Sequence, residues 1–302
     1  TYFANFGRDQ LYSWNLNQVD PRIGYEKKGA IDVTVPNPFY RYLNEGKFPG
    51  PLRNRATVPA RTLLRQYPQY GGLWVAYMNG KLERYPSLQI KVQRPFQKGY
   101  NFLFGYNYRR EKDYQFFDDV TNYLGKLTYQ DSNSPRHSMS IAGTYEFPFG
   151  RGRAFLNSLP RVPDAILGGW QVVGAWYFSS GEFLRFGPMI AAGDPTIPNP
   201  TPQKWFDTSK FQRLPSYTQR PNPWQYPGLT GPIYWEIHST LSKTFAIMER
   251  LRTEFKLAAY NLTNRLNRAN PSTDVLSSTF GQTLRQTIST GRQMEFGLKI
   301  LF

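Results

Sequence analysis

Few residues in this chain could do chemistry. Asp118-Asp119 offers two carboxylates of the kind a protease uses to activate water, and His238-Ser239 sets an imidazole beside a hydroxyl. Neighbouring residues of a strand point to opposite faces, so neither dipeptide makes a catalytic site by itself. The two histidines, His137 and His238, each lack a second His or Cys at ligand spacing, which reads as structural and leaves no metal or haem site in this portion. Cysteine is absent, which removes thiolate ligands, a cysteine nucleophile and disulfide staples. The chain is therefore read as non-enzymatic and without a cofactor.

Three other groups could bind instead. Gly150-Arg151-Gly152-Arg153 could contact phosphate or RNA, but its place just after a strand reads better as a basic turn near a membrane boundary. Residues 187–231 are rich in proline and carry Trp205, Tyr217, Arg220, Trp224 and Tyr226. Aromatics with an arginine offer stacking and hydrogen bonds to a ligand, and the same residues would serve as the packing of a proline-stiffened loop; both readings stay open. Arg250, Arg252, Glu254 and Lys256 stand at alternate positions and share one face, which must be wet because lipid charges about 2 to 4 kcal/mol for each Arg or Lys near its midplane.

The elements that carry these residues are strands of period two. In Gln293 to Phe302 the even positions Met294, Phe296, Leu298, Ile300 and Phe302 are apolar, and the odd ones polar or Gly until Leu301. Leu251, Thr253, Phe255, Leu257 and Ala259 oppose the charged face just described. Tyr100, Phe102, Phe104, Tyr106 and Tyr108 alternate with Asn101, Leu103, Gly105, Asn107 and Arg109, and Leu88, Ile90 and Val92 with Gln89, Lys91 and Gln93. Met139 to Phe147 and Trp170 to Phe178 repeat the pattern.

Composition agrees. Aromatic residues make up 17% of 302, with 21 Tyr, 22 Phe and 7 Trp, yet the mean hydropathy is −0.56. A soluble core would lean on Leu, Val and Ile, whereas a lipid-facing barrel with aromatic girdles and a polar lumen combines these features. No run reaches the roughly 18 consecutive apolar residues of a membrane-spanning helix, so only strands could span. The formal charge of +16 raises nucleic acid as a partner, but Lys and Arg are scattered singly and draw no binding footprint.

Gln97-Lys98-Gly99 and Ala246 to Glu249 are tight turns, whereas 111–134, 187–231 and 264–289 are long. Residues 20–83, rich in Pro, Gly and Asn, form a further large loop after a strand near 10–18. Counted back from the C-terminus, long loops fall outside and short turns on the periplasmic side, with 148–167 as a misfit. The fold class is all-β, an antiparallel transmembrane β-barrel or its C-terminal segment, of about eight strands.

Several phrases carry a resemblance. Tyr85-Pro86-Ser87-Leu88-Gln89 through Phe96-Gln97-Lys98-Gly99, Tyr106-Asn107-Tyr108-Arg109-Arg110, Phe147-Pro148-Phe149-Gly150-Arg151-Gly152-Arg153, Gly168-Gly169-Trp170-Gln171 through Ser179-Ser180-Gly181, Ala259-Tyr260-Asn261-Leu262-Thr263-Asn264 and the terminal strand follow one another in order. Residues 57–302 thereby resemble the C-terminal barrel of Oar-like TonB-dependent receptors. Pro135-Arg136-His137 matches that pattern loosely, and residues 1–56 match little of it. The resemblance implies a bacterial outer-membrane importer whose plug, TonB-contacting box and remaining strands, of about 22 in such barrels, lie outside these residues. It also implies that Phe296, Gly297, Leu298, Ile300 and Phe302 form the signal read by the barrel-assembly machinery. The implied partners are outer-membrane lipid and lipopolysaccharide, that machinery, the TonB system through the plug, and a nutrient of unknown class. Nucleic acid is not expected. The alternatives from composition are a soluble basic all-β binding protein for nucleic acid or acidic polysaccharide, and a small complete outer-membrane barrel with an adhesive or structural role.

Overall fold

A computed structural model of the protein describes every residue except 49, 116–127, 247–250 and 285–290. Its strands are Tyr2–Asn15 (β1), Thr34–Pro36 (β2), Thr57–Pro59 (β3), Trp74–Gln97 (β4), Tyr100–Arg109 (β5), Lys112–Gln115 (β6), Thr128–Asp131 (β7), His137–Glu146 (β8), Trp170–Ser179 (β9), Met189–Ala191 (β10), Phe211–Arg213 (β11), Tyr234–Ala246 (β12), Arg252–Tyr260 (β13) and Gln293–Leu301 (β14). Short helices lie at Pro21–Lys27 (α1), Ala60–Leu63 (α2) and Arg161–Leu167 (α3).

Among the described residues, ten strands form one antiparallel sheet in the order β14-β13-β12-β9-β8-β5-β4, with β1 and the β6–β7 pair also joined to it through β4. The register of β5 on β4 runs unbroken into β6, with Ser87 opposite Arg109 and Arg84 opposite Lys112. β6 is thus the outward continuation of β5, and β7 lies along the line of β8. Counting each pair as one strand turns ten into eight, as the periodicity predicts.

Register fixes two faces of opposite character. Leu257 lies between Leu241 and Phe296, and Phe255 between Lys243 and Leu298. On that same face are Leu88, Ile90, Val92, Phe102, Phe104, Ile141 and Trp176. The other face carries Gln89, Lys91, Asn107, Ser138, Ser140, His238, Thr240, Ser242, Glu254 and Lys256. Phe296 and Leu298 are 72% and 71% exposed, part of a contiguous apolar surface far larger than a water-soluble monomer leaves bare.

The β4–β5 turn is as tight as predicted. Lys98 and Gly99 take φ of 54° and 86°, the paired positive values of a primed hairpin turn that matches strand twist. The second short turn, from Ala246 to Glu249, lies mostly within 247–250 and so outside the described residues, as does Arg250; Asp118-Asp119 lies in 116–127, also outside them.

The loops hold more structure than their composition suggests. The strand expected near 10–18 begins at Tyr2, and the loop expected over 20–83 ends where β4 starts at Trp74. The cause is that β1 and the first half of β4 form a ribbon projecting beyond the sheet, with register shifts after Gly7, so neither face needs a clean apolar alternation. The loop between them holds α1, α2 and the β2–β3 pair around a small core of Phe48, Leu52 and Val58. Likewise 111–134 contains β6 and β7, and 187–231 contains the β10–β11 pair. The connector 148–167, anomalous in length for a turn, contains α3. Gly150, at φ 115°, passes against Gly168, and an added Cβ would lie 2.8 Å from the Gly168 Cα, so the connector closes on itself.

Candidate functional site

The long loops at one end of the sheet build a unit with its own core. Leu184, Phe186, Met189, Phe206, Phe211, Tyr226 and Leu229 are buried together, and Val275 and Phe280 from the following loop pack on them. Phe186 stacks on Phe211 at 5.3 Å and meets Phe206 edge-on at 5.3 Å, the offset geometries aromatic quadrupoles favour. Asn222, held among prolines, accepts from the Met189 N–H at 3.0 Å and donates to the Gly187 carbonyl at 3.1 Å. The unit is tied to the sheet through Gln225, whose amide accepts from the Asp131 N–H at 2.9 Å and donates to its carbonyl at 2.7 Å.

Of the five loop residues singled out from the sequence, Trp224 and Tyr226 line one cleft and the others lie elsewhere. Arg220 is 3% exposed, and its guanidinium donates to the carbonyls of Phe186 at 2.6 Å, Asn222 at 2.9 Å and Pro223 at 2.9 Å while lying 3.9 Å from the centre of the Trp224 ring. Tyr226 is buried in the core, and desolvation pushes its hydroxyl pKa up. Trp205 packs on that core and donates its indole N–H to the Thr230 carbonyl at 2.7 Å. Tyr217 donates its hydroxyl to the Asp32 carboxylate, which joins this loop to the first one and raises the tyrosine pKa, because ionisation would give up the proton that makes this hydrogen bond. Of the two readings left open by the sequence, packing is the one this position describes for Arg220: the loop is long enough to fold on its own aromatics.

Trp224 is different. Half-buried, it lines a cleft of about 700 Å³ together with the buried Tyr226 and with Arg110, Gln130, Asp131, Arg136 and Phe183. Arg136 pairs with Asp131 at 3.3 Å, and its guanidinium lies 4.5 Å from the centre of the Phe183 ring. The volume is that of a small-molecule site, and the lining offers cations, an indole and amides to a ligand with planar or hydrogen-bond-accepting groups. Sequence reading missed Arg110, Arg136 and Phe183 as site residues, because they come from three separate strand ends; the local signals were Arg109-Arg110 and the basic tripeptide Pro135-Arg136-His137.

The polar face of the sheet forms a second concavity of about 1000 Å³, lined among others by Gln89, Lys91, Asn107, Ser140 and Tyr177. Arg252, Glu254 and Lys256 share that face further along, with Lys256 and Glu254 3.3 Å apart. His238 accepts from the Asn261 N–H at 3.2 Å, and His137 meets the Tyr106 hydroxyl at 2.9 Å; Ser239 falls on the opposite face from His238. In β14, Phe296, Leu298 and Ile300 lie on the apolar face and Gly297 on the polar one, opposite Lys256. Among the described residues, β14 has a register only with β13, and none joins it to β1.

An antiparallel sheet with one apolar and one polar face, long folded loops at one end, and the tight β4–β5 turn and the α3 connector at the other, has the build of the wall of an outer-membrane-type barrel. The family model for the outer membrane beta barrel domain matches residues 1–295, and the chain belongs to that family. It is therefore a protein of the bacterial outer membrane. No curated protein matches it.

Proposed function

We propose that these residues are the barrel portion of a TonB-dependent receptor that imports a nutrient captured on the outer side. The observation that carries this reading is the cleft at Trp224 and Arg136, held open by a loop unit with its own core and set on the same sheet as the polar concavity. A purely structural barrel has no need of such an ordered, recessed cation-and-aromatic surface. The order of the Oar-like phrases along the chain supports the same reading. In it, energy from the inner membrane reaches a plug carried outside these residues, and the chain contributes the wall, the charged lumen and the capture site. Further strands pair with the exposed edge of β14 and with the second half of β4, because lipid cannot satisfy free strand edges.

The test uses cells expressing the protein from its complete reading frame, supplied with labelled siderophore, oligosaccharide and peptide panels. One class is expected to accumulate only when TonB is present, and Trp224→Ala is expected to weaken half-saturation roughly tenfold, the effect of truncating an aromatic anchor. Accumulation that ignores TonB, or that is unchanged in Trp224→Ala, refutes the reading. Deletion of Phe302 addresses the assembly signal: the amount of inserted, heat-modifiable protein is expected to fall, while detergent-refolded protein keeps the β13–β14 pairing. Normal abundance in the membrane would remove the signal from this strand.

A further inference from the structure

We infer that the connector between β8 and β9 is a seat for an anionic phospholipid of the periplasmic leaflet. It leaves the apolar face along a continuous line of rings. Tyr145 meets Phe147 edge-on at 5.7 Å, Phe147 stacks with Phe149 at 6.4 Å, and Phe149 contacts Phe155 at 5.9 Å. The outermost two are exposed, so the aromatic girdle of the barrel wall extends into the connector.

Lys243 shows which side of the sheet α3 occupies. Its position between Leu241 and Phe245 belongs to the apolar face, where a bare ammonium is costly. It is buried there because its Nζ donates to the Ile166 carbonyl at 3.1 Å and to the Gly168 carbonyl, with the Trp170 ring 5.3 Å away. The last turn of α3 thus caps a cation on the lipid-facing side of the wall. From that position Val162 and Ile166, one helical turn apart, are 72% and 62% exposed, with Leu167 beside them. Three branched apolar side chains bared to water are a cost; laid into the acyl boundary next to the girdle they are a gain.

Beside this apolar patch lies a cavity of about 690 Å³ whose lining includes Arg151, Arg153, Arg161 and Lys243 against the single carboxylate of Asp164. Asp164 is engaged by the Arg151 N–H at 2.7 Å, and Arg153 pairs with Glu146 at 3.0 Å. The cavity keeps a cationic surplus at the level where headgroup phosphates lie, with the apolar patch placed for the acyl chains. Because the connector is on the short-turn side, the phosphate is that of a periplasmic-leaflet phospholipid, and lipopolysaccharide of the outer leaflet cannot reach it.

The 302 residues contain no cysteine, so Val162→Cys introduces a thiol that is unique among them. The complete protein, inserted into phosphatidylethanolamine–phosphatidylglycerol vesicles and labelled there with an environment-sensitive fluorophore, is expected to be quenched by shallow spin-labelled lipids and protected from aqueous iodide. The same label at Lys98→Cys, in the β4–β5 turn, is expected to respond to iodide. Equal iodide access at both positions overturns the assignment to the membrane. Arg151→Gln and Arg161→Gln are each expected to reduce phosphatidylglycerol retained through purification about fivefold, the influence of one basic group near an anionic surface. Retention unchanged in both variants, with the label at 162 still lipid-quenched, overturns the headgroup seat; loss of retention beside a label still in lipid sustains it.

Discussion

Leu257→Arg is expected to destabilise the inserted barrel by about 2 to 4 kcal/mol, whereas Lys256→Leu is expected to cost far less. Leu257 is central in β13, with Leu241 and Phe296 as its neighbours on the apolar face. An arginine there must either bring its charge into hydrocarbon or unpair the strand. Lys256 sits on the polar face opposite Ser242 and Gly297, where its ion pair with Glu254 is partly solvated and worth little. Denaturant titration of the protein folded into bilayers, with each substitution made separately, measures the difference. Equal tolerance of the two would mean that the faces are inverted.

Arg220→Ala is expected to open the outer loop unit at a cost of roughly 3 to 5 kcal/mol while leaving the barrel intact. The guanidinium is the donor for the carbonyls of Phe186, Asn222 and Pro223, and removing it strands these acceptors in a dry site. It also removes the cation from the face of Trp224, which lines the outer cleft. Hydrogen exchange of residues 183–230 should rise in the variant, with protection of β12 and β13 unchanged. Arg220→Lys is expected to recover little, because one ammonium cannot span the carbonyls that the planar fork reaches. Protection of the loop unchanged in Arg220→Ala would show that the aromatic core alone holds it.

How much of this was legible in advance depended on whether neighbours along the chain or neighbours in space decided the outcome. Period two in Arg252–Tyr260 and Gln293–Leu301 needed no partner to be read, because each strand meets lipid on one face and water on the other. The positions of Glu254, Lys256 and Leu257 followed from it. The Lys98-Gly99 turn was equally local, since positive φ at two successive residues is a property of the turn itself.

The first half of β4 was hidden for the opposite reason. Trp74 to Leu82 is a strand because β1 pairs with it, and no apolar face marks it in the sequence. Arg220 illustrates the same limit at the site: beside Pro221 and Trp224 it had the composition of a ligand contact, and only the fold of the loop around Phe186 turned it inward. Arg136 moved the other way, from an incidental strand entry to a wall of the cleft beside Phe183. By itself, the sequence determined that this chain is a barrel wall, which residues of β13 and β14 share its apolar face and where the short β4–β5 turn falls, because a bilayer imposes its pattern residue by residue. Tertiary structure alone decided where the loops make a cleft and where the connector lies, because those depend on contacts between segments tens of residues apart.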